Sequence, residues 1–167
     1  MNTTGTSLTD LYDSLRPLGY TQRYTLNLNE KDKEGEEPKI VKAENLFDNH
    51  AKNDEYECFM DGGVEFPILN WALADGLPYD HFWSGGFGAI LPDRLYHVQW
   101  STKDRHVWRL PGYSPSEPVF IQAPGSSRES DGVLVSLASP FSADLPGIVV
   151  VLNATDMTEI TRAAIPG

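Results

Sequence analysis

Along this chain the apolar positions follow two periods. Near the start, Leu8, Leu11, Tyr12 and Leu15 recur at helical spacing. Ser7 and Asp10 stand where an N-cap and its acid three residues on would sit, and Pro17 stops the pattern. One or two helical turns are expected there, and helical periodicity is not expected again. From residue 23 onward the pattern is that of short strands divided by turn residues. Strands are expected at 23–28, 39–44, 56–60, 64–66, 80–87, 94–100, 106–110, 118–122, 132–138, 147–153 and 159–164. Between the first two runs NEKDKEGEEP, residues 29–38, reads as a solvated hairpin tip, and 48–55 as a second polar loop. Asp75-Gly76, Pro124-Gly125 and Asp131-Gly132 mark turns. Strands of this length and spacing, with no long helices between them, predict an all-β fold: a sandwich, a barrel or a propeller.

Composition narrows the partners. The 167 residues suit one domain or part of a larger one, with 40% hydrophobic residues to supply a core. The net charge of −11 argues against nucleic acid, whose phosphates are bound by Lys and Arg. The single cysteine, Cys58, rules out a disulfide within the chain and a multi-thiolate zinc site. No apolar run approaches the roughly 20 residues that cross a bilayer, and the N-terminal stretch lacks the apolar core of a signal peptide. The chain reads as soluble and cytoplasmic.

Candidate chemistry is sparse. The four histidines, His50, His81, His97 and His106, form no metal-binding spacing. His97 and His106 fall in neighbouring predicted strands, but spacing alone does not say whether they meet. There is no nucleophile elbow, and Cys58 in YECFM reads as a small buried hydrophobe. The glycines of Gly85-Gly86-Phe87-Gly88 read as a bulge or a close backbone approach within a sheet. Two acids stand out. Glu65 lies in VEFP and Glu117 in YSPSEPVF, each beside apolar residues and proline. A carboxylate in such a setting is costly to desolvate unless a donor meets it. That donor could be backbone, an arginine or a metal-bound imidazole.

Five segments taken in order, over about 105 residues, resemble the C-terminal part of the carotenoid oxygenase family. That family includes the carotenoid cleavage dioxygenases and the retinal-pigment-epithelium retinoid isomerase. The segments are Glu65-Phe66-Pro67 with Asn70; Pro92-Asp93-Arg94-Leu95; Pro115-Ser116-Glu117-Pro118 with Phe120, Pro124 and Gly125; Asp131-Gly132-Val133 with Ser136; and Leu152-Asn153-Ala154 with Glu159, Arg162 and Ala163. RYTLNL near the start is similar to a further strand of the family. Trp71, Ser114 and Ser130 depart from the family pattern, as does FWSGGFG.

The resemblance implies a seven-bladed β-propeller with an axial Fe(2+) held by four histidines. It implies residues 1–20 as a lead segment with a short helix, and residues 21–167 as part of the propeller. Glu65 and Glu117 match two of three glutamates that accept hydrogen bonds from the iron-bound imidazoles. None of His50, His81, His97 and His106 matches an iron ligand, so the resemblance implies a fragment, a short isoform or a truncated gene model. The implied reaction, in an intact enzyme, is cleavage of a conjugated C=C bond of a carotenoid by dioxygen to aldehydes or ketones. Peripheral contact with a membrane is implied too, since such enzymes draw substrate from bilayers. A retinoid isomerohydrolase of the same family, or a non-catalytic β-domain lacking iron, are the alternative readings.

Overall fold

The computed structural model describes residues 22–26, 40–45, 64–87 and 91–166. The helix expected near residues 7–15, the strand expected at 56–60, and Cys58 and His50 lie outside these residues. A ribbon of β1 (Gln22–Leu26) and β2 (Ile40–Asn45) comes first. It is followed by two antiparallel sheets. The first has the order β3 (Val64–Ile68), β4 (His81–Phe87), β5 (Pro92–Gln99), β6 (Asp104–Trp108). The second runs from β7 (Tyr113–Pro115) and β8 (Val119–Gln122), which both pair with β9 (Gly132–Pro140), to β10 (Ile148–Asn153) and β11 (Glu159–Ala164). Every pairing is antiparallel, and all but β7 with β9 join neighbours in sequence, which tight turns can deliver.

Two elements depart from the sequence reading. One turn of helix, α1 (Trp71–Ala74), breaks the loop after β3; four residues are too few to show periodicity. The three-residue strand β7 departs from the reading too, because it is short and ends on Pro115, which obscures the pattern. Asp131-Gly132 is not a turn either. Gly132 opens β9, and a Cβ there would sit 2.3 Å from the Ile121 carbonyl oxygen, so close strand approach explains the glycine. Gly86 answers to the expected close approach: a Cβ would meet the Tyr96 ring at 2.2 Å.

The sheets pack face to face through one core. Trp83, Leu95 and Trp108 of the first meet Leu134, Ala138, Ile148, Val150 and Leu152 of the second, with Ala154 and Met157. Period-2 burial is clean in β10, where Ile148, Val150 and Leu152 point inward. In β4 and β5 it fails, because both faces are covered. Behind the first sheet, Phe82, Tyr96 and Val98 form a second cluster with Val64, Leu69, Tyr79 and Trp100. Polar ties cross between the sheets. Trp83 Nε1 donates to the Ala154 carbonyl at 2.7 Å, and Trp108 Nε1 to Glu159 at 3.1 Å. The Glu129 carboxylate accepts from the backbone N–H of Asp80 and His81 at 3.0 and 2.8 Å.

Candidate functional site

The two acids occupy matching places. Glu65 lies on the first strand of the first sheet, paired with Gly85. Just after it the register shifts: Phe66 and Pro67 stand opposite Ser84 alone before Ile68 pairs with Trp83. Phe66 takes a φ of 56°, a conformation uncommon for a bulky residue and one that functional sites tend to hold. Glu117 lies in the break between β7 and β8, along the leading edge of the second sheet. There β7 and β8 form one interrupted line along β9, with residues 116–118 opposite 136–137. Each strand therefore carries one extra residue beside its acid, and such bulges re-aim side chains.

The Glu117 bulge is firmly held. Ser116 N–H donates to the Leu137 carbonyl at 2.6 Å, and Leu137 N–H donates to Ser116 Oγ at 3.2 Å. Ser136 Oγ donates to the Ser116 carbonyl at 2.9 Å. Pro115 and Pro118 are buried on either side, while Glu117 is exposed between them. Beside it opens a cavity of about 360 Å³ lined by Ile68, Leu69, Trp71, Pro118, Val119 and Phe120. The expected desolvation is not met: both Glu65 and Glu117 face outward. Among the described residues neither carboxylate takes a hydrogen bond or ion pair, so the structural partners considered from sequence, backbone or arginine, are not used. Asp93 of the PDRL segment does hold such a partnership. Its carboxylate takes Arg94 at 2.6 and 2.8 Å and Arg109 at 3.0 Å. Burial works against the Arg94 charge, but Asp93 and Tyr96 outweigh it and raise its pKa.

The sequence reading missed a histidine row. His97 and His106 are register partners across β5 and β6, with Trp83 as the partner of His97 on β4. The short hairpin loop between Gln99 and Asp104 was the available signal, since it makes residues 97 and 106 equidistant from the turn. His97 is 2% exposed, and its Nε2 lies 2.9 Å from His81 Nδ1. Burial first, then His81 and His106, pushes its imidazole down to about 4. Among the described residues no group of three or more His, Cys, Asp or Glu side chains could hold a metal. These residues thus do not fit an iron ligand set, and no reaction step is assigned to them. Among them, too, no helix is long and apolar enough to cross a membrane.

Comparison with known proteins follows the same lines. The family model described as retinal pigment epithelial membrane protein matches residues 3–167. The human mitochondrial carotenoid-cleaving dioxygenase is 30% identical over 154 residues, 92% of this chain and 24% of that protein. Its counterpart from Mustela putorius furo is 37% identical over 106 residues, 64% of this chain and 20% of that protein. An ACO/RPE65 chimera superposes with a TM-score of 0.55 at 27% identity, covering 61% of this chain and 23% of its own. Cobalt-substituted Synechocystis ACO gives 0.55 at 24% identity, over 61% and 22%, a likeness of fold. The chain spans about a quarter of the length of the curated relatives it matches. On the family match over nearly every residue, the chain belongs to the RPE65/carotenoid oxygenase family.

Proposed function

We propose that these residues are the C-terminal portion of an iron(II)-dependent, carotenoid-cleaving dioxygenase, with residues 21–167 forming two adjoining blades and part of a third in a seven-bladed propeller. The observation that carries the reading is the repetition of one device. Each sheet begins with a bulged strand that presents an acid unpaired among the described residues, and both acids sit on segments that resemble family motifs. In an enzyme of the relatives' length, Glu65 and Glu117 would accept hydrogen bonds from iron-bound imidazoles supplied by other segments. Such acceptors fix the imidazole's tautomer and orientation and raise its basicity. A carotenoid and dioxygen would be the substrates. The curated relatives named above favour cleavage over isomerohydrolysis.

The outer face of the second sheet supports the propeller part of this reading. Val119, Val133, Val135, Leu137, Val149 and Val151 share it by register, and Val119 and Leu137 are more than half exposed. A face of this character seeks another sheet. The test is Glu117→Gln and Glu65→Gln in the enzyme of full family length, with iron content and β-carotene turnover measured. A loss of about 10–100-fold in either quantity is expected for each. Unchanged iron and turnover would remove the assigned roles, and retinol released from a retinyl ester, without cleavage of β-carotene, would replace the reaction.

A further inference from the structure

The histidine row lies where the two sheets meet, and its geometry is unlike that of a stacked pair. The His81 and His97 planes are 13° from parallel with centroids 5.1 Å apart, while the facing nitrogens are 2.9 Å apart. That centroid separation is close to the nitrogen gap plus two ring radii. The rings therefore lie edge to edge, nearly in one plane, with Nδ1 of His81 aimed at Nε2 of His97. A contact of this kind holds one proton: one ring donates and the other accepts. The far nitrogen of His97, Nδ1, is buried and has no well-formed hydrogen bond. The Thr155 backbone favours a proton on the His97 ring, but less than burial opposes it.

We propose that His81, His97 and His106 form a proton-sensing site that couples acidification to loosening of the contact between the two sheets. The single proton between Nδ1 of His81 and Nε2 of His97 lets one ring donate while the other accepts. Acid that leaves a proton on both facing nitrogens would set N–H against N–H at 2.9 Å, and the two rings must then part. His97 cannot swing freely. Trp83 lies beside it at 5.4 Å, and Trp83 in turn stacks on Phe120 of the second sheet at 4.3 Å and donates to the Ala154 carbonyl. His106 lies alongside at 5.7 Å and would repel the charge. The groups facing the row are few. Asp156, in the turn between β10 and β11, favours a charge on His97 and interacts with His106. Asp80 flanks His81 but is engaged by Ser101 and Gln99. Glu129 is engaged by the Asp80 and His81 backbone. None of these carboxylates is hydrogen-bonded to an imidazole of the row, so Asp156 offsets only part of the cost of a charge on His97.

The experiment compares thermal unfolding of the protein at pH 7.5 and pH 5.0 for the wild type and His97→Phe, which keeps an aromatic ring without the proton site. The wild type should lose about 5 °C or more on acidification, and His97→Phe should lose less than half as much. Equal losses would overturn the proposal. Should His97→Phe fail to fold, ¹⁵N spectra of the wild-type imidazoles decide. Protonation of His97 should coincide with shifts of the Phe120, Leu152 and Ala154 signals. Protonation that leaves those signals in place would equally overturn it.

Discussion

The two sheets share a plan and differ in cover. Both are antiparallel, both open on a bulged strand, and both carry an exposed glutamate beside the bulge. The two central strands of the first are covered on both faces, so β4 and β5 read as nearly continuous buried runs. The second is buried on one, and β10 alternates. Their inner faces differ as well. The first offers Trp83, His97 and Trp108; the second offers Leu134, Ala138, Ile148, Val150 and Leu152. A repeat of topology thus survives without a repeat of sequence. What persists is the bulge and its acid, and what varies is the chemistry of the packing.

The strongest way to break the comparison is through the shared core. Trp83→Ala should cost about 3–5 kcal/mol and Leu152→Ala about 2–5 kcal/mol, since each leaves a cavity in a fully buried site. Because one cluster joins both sheets, either change should lower amide-exchange protection in both together. Protection lost in one sheet alone would show that they unfold as separate units.

Acidity should separate them. The folded-state pKa of His97 lies below its unfolded value of about 6.5. The unfolded chain therefore binds more protons between pH 6.5 and about 4, and stability falls as pH drops through that window, by at most about 3 kcal/mol. Around the second sheet the lowered groups are carboxylates. Ser126 and then Arg128 lower Asp131, Thr158 lowers Asp156, and Arg162 and Trp108 lower Glu159 against its desolvation. Their contributions hold above the usual carboxylate pKa of about 4 and are lost only below it. At pH 5 exchange should thus rise first around Trp83, His97 and the residues they touch. A uniform rise across β9, β10 and β11 would contradict this.

Most of this architecture was legible. Ten of the strands expected from alternation and turn residues fall on β1–β6 and β8–β11, with ends moved by a residue or two. Glu65 and Glu117 were singled out, but their exposure was not foreseen. The sequence shows the apolar residues flanking an acid, whereas a bulge decides which way the acid faces. The histidine row was hidden for a related reason. Residues 97 and 106 meet only once the hairpin register is fixed, and His81 joins them diagonally from the next strand.

Adjacent glycines give a smaller, sharper contrast within the first sheet. A Cβ on Gly86 would meet Tyr96 at 2.2 Å and Arg94 at 2.7 Å, both buried side chains. On Gly85 the nearest atom would be 3.6 Å away, an ordinary contact. Gly86→Ala should destabilise by about 1–3 kcal/mol through overpacking, and Gly85→Ala by less than about 1 kcal/mol. Chemical denaturation measures both, and equal costs would mean that the β4–β5 pairing relaxes around the added methyl.

The smallest effect on stability should come from the two acids, and that is what makes them informative. Both carboxylates are exposed, and among the described residues neither is paired. Glu65→Gln and Glu117→Gln should each shift the unfolding free energy by no more than about 0.5 kcal/mol. Replacing an acid in the ion-paired Glu159–Arg162 clasp tests the opposite case, since Glu159 also holds the Trp108 indole. Glu159→Gln should therefore cost more than either. If Glu117→Gln proved as costly as Glu159→Gln, the bulge would be a structural device whose acid stabilises the sheet. If it proved neutral, the rigid setting built by Ser116, Ser136 and two buried prolines would serve an aim outside these two sheets. The order of the three measured costs decides between a brace and a pointer.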